Sequence, residues 1–229
     1  MRQRIALALL LLAATSSPAL AQEVGHLPSE SPYRDIAYKQ EFTPFIGYFA
    51  AGSDPAGVAP RSGPMLGARY EIRIGGPAQF MARLGHVWSE RRVIDPQLPV
   101  GSREVGTSST SLYLADVGIS LNLTGQKSWN GLVPVITGGA GVVSDFKGAD
   151  VGGFKFGTQF AITVGGGVRW VPQDSRLQVR VDLADYLYQI SYPTSYVVDS
   201  EELPRVTRKQ SAWTNNLALT AGVSYRFFR

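Results

Sequence analysis

The sequence of 229 residues contains no cysteine and only two histidines, His26 and His86. The absence of cysteine excludes a disulfide framework, a thiol nucleophile and a thiolate metal site. Charged residues make up 17% of the chain, whereas about 25% is usual for soluble domains. The net charge of +4 is too small to indicate polyanion binding. We therefore expect no nucleic-acid partner.

Long hydrophobic runs are also missing, apart from one near the N-terminus. The basic stretch MRQR precedes an apolar run from Ile5 to Ala14, and the small residues Ala19 and Ala21 follow. This pattern predicts a cleaved signal peptide over residues 1–21. The run is too short for a membrane anchor, which needs about 20 apolar residues. Because no longer run follows, any membrane span must be formed by strands.

Alternation of side-chain character with period two marks the rest of the chain as all-β. Residues 22–40 are polar, contain Pro28 and Pro32, and are predicted to form an N-terminal extension. Residues 41–229 are predicted to form the barrel. Eight strands are predicted within it: Phe42–Ala50, Met65–Ile74, Ala78–Val93, Ser111–Thr124, Leu132–Ser144, Thr158–Val171, Leu177–Gln189 and Trp213–Phe227.

The connections between these strands alternate in length. Short links follow the second, fourth and sixth strands, and longer links follow the first, third, fifth and seventh. Short turns at one end and long loops at the other are typical of transmembrane barrels in the bacterial outer membrane. The predicted fold is therefore an eight-stranded antiparallel up-and-down transmembrane β-barrel, with its long loops outside the cell.

The faces of the strands predict which side chains meet lipid. On the second, sixth and eighth strands one face is a nearly unbroken apolar row, long enough for a tilted strand to cross a bilayer. The opposite faces carry small and charged residues, which suit the narrow lumen of an eight-stranded barrel. Buried charges must pair, so we expect an ion-pair network in the lumen. Its predicted members are Arg69, Glu71, Arg73, Arg83, Asp116, Arg169, Arg180, Asp182 and Arg226.

Aromatic residues near the strand ends are predicted to form two interfacial girdles. The predicted periplasmic set is Phe42, Phe80, Trp170, Tyr225 and Phe227, and the predicted outer set is Tyr48, Trp88, Tyr113 and Tyr188. The facing of the fifth strand stays open, because glycines and flanking Val and Ile residues allow either register.

The last strand ends in Gly222-Val223-Ser224-Tyr225-Arg226-Phe227, a Gly-x-x-aromatic-x-aromatic pattern. The pattern resembles the C-terminal signal that outer-membrane proteins present to the barrel-assembly machinery, with Gly222, Tyr225 and Phe227 in the signal positions. With the leader and the eight strands, it makes the chain resemble the small OmpA- or OmpX-like barrels of the outer-membrane β-barrel superfamily. The resemblance implies an outer-membrane location, insertion by that machinery, contact with membrane lipid and lipopolysaccharide, and a monomer.

Catalysis is not expected from the residues available. A lipid A-modifying barrel enzyme would need His, Ser and a carboxylate together, but Ser89 lies three residues from His86 and therefore on the opposite face of a strand. No cofactor, metal site or catalytic residue is predicted. We expect a structural, adhesive or interaction role through the extracellular loops. Alternatives are a secreted lipocalin-like carrier with its apolar face inward, a narrow pore, or a lipid A-modifying enzyme.

Overall fold

The computed structural model describes residues 31–36, 38–172, 175–199 and 203–227. The predicted signal peptide, residues 22–30 of the predicted extension and His26 lie outside the described residues. Within the described ranges, no helix combines the length and the apolar character needed to cross a membrane.

Ten strands make up nearly all of the regular structure in the described part of the chain. They are β1 (Tyr33–Asp35), β2 (Gln40–Ala50), β3 (Gly63–Gly75), β4 (Ala78–Ile94), β5 (Glu104–Asn122), β6 (Lys127–Trp129), β7 (Leu132–Ser144), β8 (Thr158–Trp170), β9 (Leu177–Ser191) and β10 (Ser211–Phe227). A 3-10 turn spans Val100–Ser102, and the short helix α1 spans Thr194–Val197.

Eight of these strands close into a ring. The strands β2, β3, β4, β5, β7, β8, β9 and β10 each pair antiparallel with the next one along the chain. The pairing of β10 with β2, from Leu217 opposite Ala50 to Phe227 opposite Gln40, closes the sheet. The predicted eight-stranded antiparallel barrel is confirmed. A closed ring leaves no unpaired sheet edge within it, as a sheet in hydrocarbon requires.

The strand bounds match the alternation pattern closely. The predicted fifth strand has the observed bounds of β7, Leu132–Ser144, and the others differ by a few residues at their ends. The largest difference is in β5, which begins at Glu104 and not at Ser111. Its first residues continue the ladder with β4 as far as the pair of Ile94 and Glu104. The β4–β5 hairpin therefore extends beyond the other strands.

The connections are sorted between the two ends of the barrel. Residues 51–62, 95–103, 145–157 and 192–210 link strands at one end, which we call the long-loop end. Residues 76–77, 123–131 and 171–176 link them at the other, the short-turn end. At the short-turn end β1 pairs with β6, from Tyr33 opposite Trp129 to Asp35 opposite Lys127. Part of the predicted extension therefore lies against the barrel.

Successive side chains alternate between the interior and the outer surface on every barrel strand. This settles the facing of β7, where Val133 and Val135 point inward while Leu132 and Ile136 are exposed. Inward glycines make room where the interior is crowded. A β-carbon at Gly167 would lie 2.5 Å from Oδ1 of Asp182, so glycine at this position leaves space for that carboxylate.

Candidate functional site

Eight charged side chains lie together inside the barrel, in the half next to the short turns. All are buried, and four guanidinium groups face four carboxylates. We call this set the ionic cluster: Arg69, Arg83, Arg169, Arg180, Glu41, Glu71, Asp116 and Asp182. Because an unpaired buried charge costs several kcal/mol, this balance is essential for a stable charged interior.

Arg180 is the centre of the ionic cluster. Its Nε donates to Oδ2 of Asp182 at 2.6 Å, and its Nη1 lies 3.2 Å from Oε1 of Glu41. The same Nη1 also donates to Glu71. Asp182 accepts a further hydrogen bond from Nη1 of Arg69 at 3.3 Å. One guanidinium therefore joins three carboxylates from three strands.

Glu41 connects this centre to β8. Nη1 of Arg169 lies 3.0 Å from Oε2 and 3.1 Å from Oε1 of Glu41. Gln178 also donates to this carboxylate, and Arg169 donates to the side-chain oxygen of Asn122. Both Glu41 and Arg169 are almost fully shielded from solvent, at 1% and 0% exposure. The carboxylate of Glu41 thus forms ion pairs with two buried arginines, Arg169 and Arg180.

A second pair lies beside this centre. Nε and Nη2 of Arg83 donate to the two oxygens of Asp116, both at 3.0 Å, which is a bidentate geometry. The hydroxyl of Tyr186 donates to Oδ2 of Asp116 at 3.1 Å. The guanidinium of Arg83 also stacks 5.0 Å from the ring centroid of Tyr186.

Two of the nine residues predicted for the lumen network lie at its edge. Arg73 donates to the carbonyl of Ile36 at 2.7 Å, and Arg226 donates to the carbonyls of Pro172 and Ser175. Both guanidinium groups stack on the ring of Tyr38, at 5.7 and 5.4 Å. They hold the segment before β2 against the short-turn end. The other seven predicted residues meet in the ionic cluster, together with Glu41, which is not among the predicted members.

The half of the interior next to the long loops is apolar and aromatic. It is filled by inward side chains of the strands and by loop residues that fold into the mouth of the barrel. The ring of Phe154, from the β7–β8 loop, lies 6.2 Å from Tyr192 and 6.3 Å from Tyr196. Phe156 meets Tyr188 edge to face at 5.8 Å. We call these packed loop and strand side chains the aromatic plug.

Carboxylates fix the loops above the aromatic plug. In the β2–β3 loop, Oδ2 of Asp54 accepts the backbone N–H groups of Val58 and Ala59, both at 2.6 Å, and Oδ1 accepts the hydroxyl of Tyr192. Burial, reinforced by this hydrogen bond, raises the pKa of Tyr192 above its ordinary value. The tyrosine therefore stays protonated and available as a donor at neutral pH.

The remaining loops are tied to the β4–β5 hairpin. Arg91 pairs with Asp150 at 2.6 Å, with both side chains buried, and the hydroxyl of Tyr196 donates to the carbonyl of Ile94 at 2.7 Å. Nη2 of Arg103 donates to the carbonyl of Pro204 at 2.6 Å. The described parts of the long loops are consequently held in place by contacts with the barrel and with one another.

The outward face of the barrel has the opposite composition to the interior. Its exposed apolar side chains come from every barrel strand, and Leu84 and Ile46 are 64% and 71% exposed. A continuous apolar surface of this kind is unfavourable in water and suited to hydrocarbon. The lipocalin-like alternative required the apolar rows to point inward, and it is wrong.

Aromatic side chains border this surface at both ends. Phe42, Phe80, Trp170 and Tyr225 are exposed near the short turns, and Tyr48, Trp88 and Tyr113 are exposed near the long loops. Tyr188, which we expected in the outer girdle, is instead 1% exposed and part of the aromatic plug. It lies on the same face of β9 as Arg180 and Asp182, which directs it inward.

His86 belongs to the outer aromatic border. Its ring lies 4.5 Å from that of Trp88 and 5.0 Å from that of Tyr113. Ser89 points inward, where its hydroxyl donates to the carbonyl of Arg61 at 2.6 Å. The two residues that an enzyme would have to combine therefore lie on opposite faces of β4.

The three residues of the predicted assembly signal lie on the strand that closes the ring. A β-carbon at Gly222 would lie 2.5 Å from the carbonyl oxygen of Pro44, so glycine permits close contact with β2. Phe227 stacks on Tyr70 at 6.0 Å and on Tyr225 at 6.2 Å. The two aromatic positions of the signal thus form part of the border at the short-turn end.

Together, the closed strand ring, the lipid-compatible exterior and the charge-balanced interior define a transmembrane β-barrel of the outer-membrane class. The barrel accordingly lies in the outer membrane. Its continuous apolar outward face between the two aromatic borders, which we call the apolar belt, is the surface suited to lipid.

Solved structures of outer-membrane proteins are similar to the chain. Neisserial surface protein A is 14% identical to this chain, with a TM-score of 0.49, and the match covers 82% of this chain and 97% of the neisserial chain. The N-terminal barrel domain of Pseudomonas aeruginosa OprF is 10% identical, with a TM-score of 0.44, covering 83% and 98%. Yersinia pestis Ail is 13% identical, with a TM-score of 0.36, covering 82% and 100%. No protein-family model and no curated protein matches the sequence.

Proposed function

We propose that the protein is a surface interaction protein of the outer membrane, with an adhesive role carried by its long loops and no catalytic activity. The supporting observation is that buried ion pairs and hydrogen bonds hold the described parts of the long loops in place. Binding a partner therefore does not require these parts to be ordered first. Insertion through the assembly machinery, recognising Gly222, Tyr225 and Phe227, and a monomeric state belong to the same proposal.

Apolar side chains of the long loops and of the adjoining β4–β5 hairpin suggest the kind of contact that this end makes. Six of them are at least 36% exposed, and Phe146 reaches 76%. They are Leu98, Val100, Val105, Phe146, Val151 and Val198. We infer that these side chains are sites of association, because covering exposed apolar area by a partner is favourable in water. A protein or cell surface with exposed apolar groups of its own is therefore the expected partner.

An adhesion assay tests this proposal. Cells that export the protein should bind a hydrophobic surface and one another more strongly than cells that lack it. Replacing Val100, Val105 and Val151 by serine should remove most of that gain, because the apolar area that association would bury is lost. Adhered cells are counted after washing, and surface levels are matched by gel mobility before and after boiling.

The matched control for this assay changes polar residues of the loops and of the β4–β5 hairpin instead. Serine at Gln97, Thr107 and Arg208, which are also exposed, should leave adhesion unchanged. If the valine variant adheres as strongly as the unchanged protein, or if the protein adds no adhesion, the proposed role is refuted.

The filled interior also predicts that the protein does not conduct ions. Arg180 in the ionic cluster and Tyr196 and Phe154 in the aromatic plug are at most 1% exposed. Eight-stranded barrels are filled by side chains in this way. Reconstitution into a planar bilayer should give no discrete current steps. Reproducible steps that disappear when the protein is omitted would restore the pore alternative.

A further inference from the structure

An acidic side chain lies on the outward face of β9, within the apolar belt. Asp185 is opposite Val164 on β8 and Leu217 on β10, and both of these neighbours are exposed. On each neighbouring strand an exposed aromatic residue, Phe160 or Trp213, lies four residues nearer to the long-loop end, which is about 13 Å along a strand. Asp185 is therefore below the outer border, at a depth where hydrocarbon surrounds the barrel.

Neutral groups satisfy only part of the carboxylate of Asp185. Oδ1 accepts the backbone N–H of Asn216 at 2.9 Å, and Oδ2 accepts a hydrogen bond from Nδ2 of Asn215 at 2.8 Å. An ionised carboxylate can accept about four hydrogen bonds, and this side chain is only partly covered. The ion pairs among the described residues do not include Asp185. Because an ionisable group inside a membrane is costly and marks a functional contact, a donor from outside this copy of the chain is expected.

The complementary side chain is on the opposite side of the barrel. His86 points outward on β4, where its ring contacts those of Trp88 and Tyr113. In the ring of eight strands, β4 and β9 are four positions apart in either direction. Of the outward side chains between the two borders on the described barrel strands, Asp185 and His86 are the acidic and the basic one. One barrel cannot bring them together, but two adjacent barrels can.

The strand registers give the relative depths of these two residues. From Ala82 on β4, directly opposite residues lead to Leu187 on β9 in one direction around the ring and to Leu177 in the other. The intermediate residues are Val117, Ala140 and Ile162 one way, and Tyr70, Phe42 and Tyr225 the other. Since the strands are tilted, one path rises by as much as the other falls. The residue of β9 that is level with Ala82 is therefore midway between the two end points, at Asp182.

His86 and Asp185 consequently lie at nearly the same depth in the membrane. Both β4 and β9 run toward the long-loop end, and His86 is four residues beyond Ala82, which makes it level with Tyr186. Asp185 is one residue from Tyr186, a difference of about 3 Å. Two barrels that stand side by side in the same orientation can therefore place His86 of one copy against Asp185 of the other.

We propose that copies of the protein form rows in the membrane, in which His86 of one copy donates a hydrogen bond to the carboxylate of Asp185 of the next. Because the two residues are on opposite faces, the contact is heterologous and does not close into a dimer. Each ring closes by itself, so the monomer of the proposed function remains the folded unit, and the rows join complete barrels. The inference requires the outer-membrane location and goes beyond the proposed adhesive role. Rows would present many long-loop ends together, which strengthens adhesion through multivalency.

Cysteine cross-linking in cells that export the full chain tests the contact, because the chain has no cysteine of its own. Leu84→Cys and Leu183→Cys place thiols on the same outward faces, two residues from His86 and from Asp185 respectively. Cells that export both single variants should give a cross-linked dimer after mild oxidation. Either variant alone should give little dimer, because a heterologous contact does not bring identical positions together. A chain that carries both cysteines should give a ladder of larger oligomers.

Substitutions in these cysteine variants identify the interacting pair. Asp185→Leu in the Leu183→Cys chain, or His86→Leu in the Leu84→Cys chain, should reduce the mixed dimer about tenfold, through loss of a hydrogen bond to a charged group. Asp185→His and His86→Asp, introduced one at a time into the same two chains, should reduce it as well. The two exchanges together should restore it, because the donor and the acceptor then face each other again.

Matched controls separate this contact from random collision. Gln189→Leu on β9 and Glu90→Gln on β4 change outward polar residues four positions from Asp185 and His86, and both should leave the mixed dimer unchanged. All variants should still shift mobility on boiling, which shows that the barrel has assembled. Absence of the mixed dimer, equally strong dimers from either cysteine variant alone, or equal dimers with and without Asp185 would overturn the rows. A loss of adhesion with cross-linking intact would refute the proposed function and leave the rows in place.

Discussion

Replacing Glu41 by alanine should lower the free energy of unfolding in micelles by about 3–5 kcal/mol, the range for removing one partner of a buried ion pair. The carboxylate of Glu41 faces Arg169 and Arg180, and both guanidinium groups are at most 1% exposed. With Glu41 gone, the ionic cluster would hold four positive charges and three negative ones. Denaturant titration, followed by the mobility shift of the folded barrel, measures the change.

The exposed acid Glu104 provides the comparison for this result. Its pair with Arg92 is about half exposed, and Glu104→Ala should change stability by less than about 1 kcal/mol. Similar losses at Glu41 and Glu104 would mean that the interior charges are solvated, contrary to the packed arrangement described above.

Leu84→Arg should destabilise the folded barrel in lipid vesicles by about 2–4 kcal/mol, the cost of a charge on the lipid face near the bilayer midplane. Leu84 is 64% exposed and stands midway along β4 between the border residues Phe80 and Trp88. In water the same substitution at so exposed a site would change little. The experiment therefore distinguishes hydrocarbon from water around the apolar belt. The free energy of unfolding is measured by denaturant titration in lipid vesicles.

Val105→Arg is the matched control, because Val105 is also apolar and outward but lies on the hairpin beyond the aromatic border. Its stability in vesicles should change by no more than about 0.5 kcal/mol, as is usual for surface substitutions. A neutral result at Leu84 would place the belt in water and contradict the outer-membrane location.

The fold could be predicted from the sequence because alternation is a local signal. When a strand is apolar on one face and polar on the other, a few residues are enough to predict which face points to lipid, as in Leu66 to Ile74. Where both faces carry apolar or small residues, the alternation is absent. The facing of β7 could therefore not be predicted, and its pairing with β5 and β8 fixes the register. The extra length of β5 was not predicted because its first residues, apart from Val105, are polar or small on both faces.

The site was predictable in composition but not in connectivity. Arginines and acids on inward faces indicated a charged lumen, yet the partners of Glu41 are 128 and 139 residues away. They meet it only because the ring closes. Tyr188 was assigned by its nearness to a strand end, whereas counting by twos from Arg180 would have placed it inside. The aromatic plug depends on loop residues such as Phe154, for which no periodic signal exists.

The position of Glu41 has a consequence for biogenesis. The first barrel strand carries the acid, while its basic partners belong to two of the last three strands to be synthesised. Until β10 pairs with β2, an inserting intermediate would expose unpaired guanidinium and carboxylate groups beside the open edges of the sheet. Unpaired charges of this kind are costly in hydrocarbon. Ring closure should therefore be cooperative, with few stable intermediates between the open sheet and the closed barrel.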